Sequence, residues 1–309
     1  DWKALQRVRG AVIFDYLYGA GAGIPERLLR NLSLTMVSLH AAEDPLFGGL
    51  HPEPIETYLS DLKAAVRKRR AQIGIALDGD ADRLGIVDDL GRYWTPHQVF
   101  PLLVLHCIEH KGWKGKIVQS VSLGALGERI ARAFGLPFEE VPVGFKHVAE
   151  RMLREDVLAG GEESGGYAVR GGIPERDGVL SGLLFLEMIG ARGKKPSALL
   201  REMESRFGPA RFRRVDVPLA RAIPDKADFD RYMTSQLPGR LAGSTVRERR
   251  TGDGLKVILE NGSWLLLRPS GTEPLVRTYA ESDRWPTTEQ LLSWAGQTVR
   301  RYLKERGEY

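Results

Sequence analysis

The chain has 309 residues but one cysteine, Cys107, and six histidines. A single thiol excludes an internal disulfide framework and fits a reducing, cytoplasmic setting. Its place in the apolar stretch VFPLLVLHCIEH makes it a structural core thiol in expectation. Long apolar runs are scarce as well. The longest, near residues 99–108, is about half of the ~20 residues a bilayer span requires, so no membrane partner is expected. The start of the chain shows no signal-peptide pattern and no Met. Blocks of one charge are also missing. The net charge of +5 is scattered, and the runs RKRR (67–70) and RERR (247–250) are short, which reads as solvated faces and not as a nucleic-acid surface.

What is present is the composition of a soluble globular protein, 42% hydrophobic and 28% charged, long enough for two or three domains. Strand and helix signals alternate from residue 11 to 89. AVIFDYL leads to the turn GAGAG with Pro25 opening a helix, then LTMVSLH, a helix from Glu53 to Arg70 after HPEP, IGIALD, and the short strand GIVD before the turn DDLG. This is the rhythm of a parallel sheet with helices on its faces. It repeats with a helix near 97–110, KIVQSV, a helix near 124–134, FEEVPV, a helix after Gly144, the loop AGGEESGG and a helix near 177–191. From Arg211 the pattern changes to RFRRVDVPL, STVRERR, LKVILE, SWLLLRPS and LVRTYAES with helices near 225–237 and 286–306, which predicts an antiparallel sheet. The expected architecture is two tandem three-layer α/β domains with mostly parallel mixed sheets, residues 1–92 and 93–207, then an α+β domain, 208–309, after a linker at Phe207-Gly208-Pro209.

Three short stretches carry chemistry. In LDGDADR, Asp78, Asp80 and Asp82 alternate after a buried strand, so in an extended segment their side chains point one way and repel unless a cation joins them. All-oxygen donors select a hard ion such as Mg²⁺, Mn²⁺ or Ca²⁺. An EF-hand is excluded, because its sixth and twelfth positions hold Arg83 and Asp89 here in place of Gly and Glu. The competing reading is a turn whose Asp side chains cap backbone groups. In GGEESGG, glycines admit close approach of a ligand while Glu162 and Ser164 offer groups suited to sugar hydroxyls, though a flexible polar turn accounts for it equally. In RPSGTEP, with Arg277 following, backbone N–H groups, two hydroxyls and two guanidinium forks fit a phosphate, and a capped turn between strands is the alternative. Lys146, in VGFKHV, is either a helix-face cation or an active-site ammonium, and the histidines show no ligand spacing.

The three stretches follow one another at separations of about 80 and 110 residues, and in this order the chain resembles the α-D-phosphohexomutase superfamily, the phosphoglucomutases and phosphomannomutases. Asp15 with Gly19-Ala20-Gly21 and the segment Pro52-Glu53-Pro54 carry the resemblance toward the N-terminus, so that it covers nearly the whole chain. It implies reversible phosphate transfer between C1 and C6 of a hexose phosphate, glucose 1-phosphate and glucose 6-phosphate first, through a phosphoserine and a hexose 1,6-bisphosphate. Asp78, Asp80 and Asp82 would hold Mg²⁺, Arg83 would face the moving phosphoryl group, and Lys146 would serve binding or acid–base work. Glu162 and Ser164 would bind sugar hydroxyls; Arg268, Ser270, Gly271, Thr272 and Arg277 would hold the phosphate not being transferred.

The family's phosphoserine lies in a T-A-S-H-N-P-like loop of a first domain, and this chain has no such loop and no adjacent Ser-His pair. The expectation is therefore a chain spanning family domains two to four, partnered by an N-terminal domain of the same protein and inactive without it. Mannose or glucosamine phosphates are alternative substrates. A non-catalytic sugar-phosphate or metal sensor is the alternative of another class, and a metal-dependent phosphatase would leave the second and third stretches without a role.

Overall fold

The computed structural model describes residues 1–271 and 273–306, which form two compact units, Asp1–Phe207 and Gly208 onward. In the first unit a short helix α1 (Trp2–Leu5) precedes β1 (Ala11–Asp15), α2 (Ile24–Leu29), β2 (Thr35–Leu39), α3 (Ser60–Arg69), β3 (Ile73–Leu77), β4 (Leu84–Val87) and β5 (Tyr93–Trp94). The strands form one sheet in the order β2-β1-β3-β4-β5, parallel from β2 to β3 and antiparallel beyond. β3 is buried at every residue, as a strand covered on both faces must be. Gly74 shows why the covering is tight: a Cβ there would lie 2.8 Å from Leu62 Cδ1 of α3. Leu62 and Val66 of α3 form a core with Ile13, Ala76 and Val87.

The unit continues with α4 (Pro96–Glu109), β6 (Lys116–Ser120), α5 (Leu126–Ala133), β7 (Phe138–Val141), α6 (Phe145–Arg154), β8 (Val157–Gly161), β9 (Tyr167–Val169), α7 (Gly178–Arg192) and α8 (Pro196–Phe207). Its second sheet runs β7-β6-β8-β9, with only the β8–β9 pair antiparallel. Two glycines of β8 admit helices from opposite faces: a Cβ on Gly160 would meet Val148 of α6 at 2.1 Å, and one on Gly161 would meet Phe100 of α4 at 2.5 Å. α7 packs on β3 and β4 of the first sheet and on β9 of the second, and α1 packs on α7. Both sheets, with α7 packed on each, lie within one compact unit.

In the second unit β10 (Arg211–Pro218), α9 (Lys226–Ser235), β11 (Arg240–Leu241), β12 (Ser244–Arg250), β13 (Leu255–Leu259), β14 (Trp264–Pro269), β15 (Leu275–Ser282) and α10 (Trp285–Glu305) build a wholly antiparallel sheet, β10-β15-β14-β13-β12-β11. α9 and α10 cover it, burying Phe229, Met233, Leu291 and Val299 against Val257, Leu265 and Val276. The fold class is the mixed α/β and α+β architecture read from the sequence.

Two elements differ from that reading. The helix expected from Glu53 begins at Ser60, because Pro52 and Pro54 hold the chain extended and a 3₁₀ turn, Glu56–Tyr58, intervenes. α8 was not anticipated. Gly193 ends α7 in the left-handed region (φ 60°), Pro196 starts α8, and Asp89 receives hydrogen bonds from the Ser197 N–H and hydroxyl (2.8 and 3.1 Å). Among the described residues no helix is long and apolar enough to cross a membrane. Cys107 is fully buried, and burial pushes its thiol up to about 12, so the core reading of that residue stands.

Candidate functional site

The strand β3 ends at Leu77 and the chain turns at once. Asp78 to Asp82 do not continue the strand, and Ala81 sits at φ 64°. The carboxylates therefore converge by a turn and not by strand alternation, which corrects the geometry drawn from the spacing. Their convergence is real: one carboxylate oxygen from each of Asp78, Asp80 and Asp82 lies within 4.8 Å of the others. Two earlier segments hold the turn. The Ala20 N–H donates to the Gly79 carbonyl (2.9 Å) and the Gly79 N–H to that of Pro52 (3.2 Å). A Cβ on Gly19 would lie 2.6 Å from the Asp78 carbonyl oxygen, so only glycine fits there.

Each carboxylate has its own surroundings. Asp78 is fully buried and accepts from the Arg83 N–H (2.9 Å) and the Arg83 Nε, while Arg83 Nη1 reaches Glu53 (3.0 Å). Arg83 thus braces the turn against the Pro52–Pro54 segment. Asp82 pairs through Oδ2 with Arg176 (2.7 Å), and its Oδ1 is buried with no hydrogen-bond partner among the described residues. Burial, with the Asp78 charge second, pushes the Asp82 carboxyl up to about 6. An orphaned carboxylate oxygen within a set of hard oxygen donors fits a divalent cation, and the excess negative charge agrees.

The second loop is hydrogen-bonded to the first. The Leu84 N–H donates to the Gly165 carbonyl (2.9 Å), and Arg83 and Gly166 form an isolated antiparallel bridge. Glu162 is buried, its Oε1 accepts from the Gly144 N–H (2.8 Å), and burial raises its pKa. Glu163 turns the other way, accepting from the Ser122 hydroxyl (2.6 Å). The Ser164 hydroxyl is buried with no partner among the described residues. Lys146, the second residue of α6, is exposed beside Gly144, whose N–H donates to Glu162.

Arg176 is the residue the sequence reading missed. It reaches Asp82, stands over the Phe145 ring (5.8 Å), and leaves Nε buried without a hydrogen-bond partner among the described residues. A Cβ on Gly166 would lie 2.1 Å from its Cδ, so the glycine of the second loop clears its path. The available signal was its place in PERDG, immediately before the Asp177 cap of α7, whose first N–H, on Gly178, donates to the Ala81 carbonyl (3.1 Å). Four histidines are hydrogen-bonded to residues outside the three loops: His106 to Glu187 (2.7 Å), His40 to Asp15 (2.8 Å), His97 to the Ser122 carbonyl (2.9 Å) and His110 to Asp1 (3.2 Å).

The third loop belongs to the second unit. Arg268 and Arg277 stand directly opposite on β14 and β15, a like-charge pairing that costs stability unless something else uses it. Arg268 Nε bonds Asp253 (2.7 Å) and Arg277 Nη2 bonds Glu273 (2.7 Å), while Arg277 Nε is buried without a hydrogen-bond partner among the described residues. Ser270 is buried, its Oγ accepting from the Glu273 N–H (3.2 Å) and its N–H donating to the Leu275 carbonyl (2.9 Å). Thr272 lies outside the described residues.

Family models for the phosphoglucomutase/phosphomannomutase fold match the chain consecutively: α/β/α domain II over residues 1–91, α/β/α domain III over 95–207 and the C-terminal domain over 214–293. A phosphoglucomutase/phosphomannomutase of Thermococcus kodakarensis is 31% identical over 282 residues, 91% of this chain and 59% of that protein. A phosphopentomutase of the same organism is 30% identical over 95% of this chain and 63% of its own length. A solved structure from Thermus thermophilus, of a protein provisionally named phosphomannomutase, superposes with a TM-score of 0.83 at 34% identity, covering 97% of this chain and 63% of that one. The chain thus spans about six tenths of the length of the relatives it matches. With three consecutive family models and a relative matched along nine tenths of these 309 residues, the chain belongs to the phosphoglucomutase/phosphomannomutase family.

Proposed function

We propose that this chain is the metal-, sugar- and phosphate-binding portion of a phosphohexomutase, which moves phosphate between C1 and C6 of a hexose phosphate, with glucose 1-phosphate and glucose 6-phosphate as the leading pair. The observation that carries the reading is the interlock of the first two loops, where Leu84 bonds Gly165 and Arg83 pairs with Gly166 beside three converging carboxylates. A metal-dependent phosphatase would have no use for that coupling.

In this reading Asp78, Asp80 and Asp82 hold Mg²⁺. A divalent cation held there would supply the charge neutralisation that phosphoryl transfer demands. Arg83, fixed by Asp78 and Glu53, faces the same group without having to reorganise. Glu162 is held by the Gly144 N–H and Ser164 has a free buried hydroxyl, so both are ready to exchange hydrogen bonds with sugar hydroxyls. Lys146 stands close to Glu162's partner Gly144 and serves in binding or proton transfer. Arg268, Ser270, Gly271, Thr272 and Arg277 take the distal phosphate, for which paired guanidinium forks are suited. The phosphoryl-carrying serine comes from a domain of the same protein outside these 309 residues, in a cytoplasmic setting that agrees with the buried free thiol.

The test is a coupled assay across glucose, mannose and glucosamine 1-phosphates. This chain alone is expected to convert none of them. The full-length natural protein should convert glucose 1-phosphate fastest, with a hexose 1,6-bisphosphate requirement. Turnover at full rate by the chain alone would overturn the assignment of the serine. Ribose 1-phosphate belongs in the same panel, since one relative is named a phosphopentomutase, and preference for it would replace hexose by pentose.

A further inference from the structure

We propose that Lys226, the first residue of α9, is a further binding residue of the phosphate loop and supplies the unneutralised positive charge the two arginines lack. The inference rests on the phosphate-loop assignment just made. Arg268 is matched by Asp253 and Arg277 by Glu273, so the loop's guanidinium charges are each balanced by a carboxylate. A phosphate arriving with about two negative charges would meet a neutral surface. Lys226 alters that balance. Among the described residues a Cβ built on Gly271 would find one atom within 4 Å, the Lys226 Nζ at 3.7 Å, so the ammonium faces the bare backbone of the loop.

No carboxylate forms an ion pair with this ammonium among the described residues, although Asp230, one turn along its own helix, attracts it. The other cation of α9, Arg231, is drawn toward Asp225 and Asp228 (3.8 and 3.7 Å). Lys226 also lines an open cleft of about 690 Å³ with Asp230, Arg231 and the turn residues Thr251 and Gly252, and the next residue of that turn, Asp253, is the one that grips Arg268. The lysine therefore has room to swing between cleft and loop. Its position is otherwise a local error, since a cation in the first turn opposes the helix dipole and costs about 0.3–1 kcal/mol. Such violations are expected where binding uses the residue.

The experiment titrates the 309-residue chain with glucose 6-phosphate, followed by ³¹P NMR, with Mn²⁺ affinity measured in parallel. Lys226→Met should raise Kd about tenfold, the scale of one charge-assisted hydrogen bond, and should shift the bound phosphate's protonation to higher pH. Lys226→Arg should bind within about threefold of the parent, since charge and reach are kept. Mn²⁺ affinity should be the same in all three. If Lys226→Met binds as the parent does while Arg277→Gln weakens binding, Lys226 lies outside the site and the inference is overturned with the loop assignment intact. If Arg277→Gln also binds as the parent, or the parent does not bind, the loop assignment fails and the inference with it.

Discussion

At the scale of single residues, the three loops and Arg176 leave several polar atoms buried without a hydrogen-bond partner among the described residues. Asp82 Oδ1, the Ser164 hydroxyl, Arg176 Nε and Arg277 Nε are buried with unused hydrogen-bonding capacity, which costs free energy in a protein with no ligand to bind. Asp82 shows the consequence for pH. Its folded-state pKa of about 6 lies above the ordinary 3.8, so the folded chain retains a proton that the unfolded chain has released. Without metal, stability from this group falls as pH rises from about 4 to about 6 and is level above. Binding of a divalent cation requires the ionised carboxyl, so the gain in Tm on adding Mg²⁺ should be larger at about pH 7.5 than at about pH 5 and absent in Asp82→Asn. Melting followed by circular dichroism at the two pH values checks this. Residue identities at the three loops were legible in the sequence because each motif is contiguous. Arg176 was not, because nothing in PERDG announces that a glycine ten residues earlier opens a channel toward Asp82.

Elements were legible wherever apolar periodicity and a capping signal agreed. α4 begins at Thr95-Pro96 with a capping box, and the expected helix near 97–110 follows it closely. The helix expected from Glu53 was misplaced because its charged pattern runs through prolines that the backbone must obey first. The Asp turn was misdrawn for a related reason: side-chain alternation holds only while the strand lasts, and β3 stops at Leu77. The glycines of β8 carry an element-scale prediction. A Cβ on Gly160 would enter the space of Val148 Cγ1, which is itself fully buried, so Gly160→Ala should destabilise the first unit by about 1–3 kcal/mol through overpacking. Urea denaturation measures it. A change on the exposed stretch before α7, such as Glu175→Gln, should leave the midpoint unchanged.

For the whole molecule, the sequence divides the chain near residues 92 and 207; the structure's two compact units part at 207, and α7 packs on both sheets of the first. The aspartate turn and the Glu162 loop are bridged within one compact unit, while the phosphate loop is built on the antiparallel sheet of the other. The central claim, carried by the proposed function, is that the aspartate turn and the Glu162 loop of the first unit serve one ligand. Calorimetric titration of the 309-residue chain with glucose 1,6-bisphosphate in the presence of Mg²⁺ tests it most directly. Saturable binding is expected, weakened at least about tenfold both by Asp80→Asn in the aspartate turn and by Glu162→Ala in the second loop. Absence of saturable binding, or binding indifferent to either substitution, would contradict it.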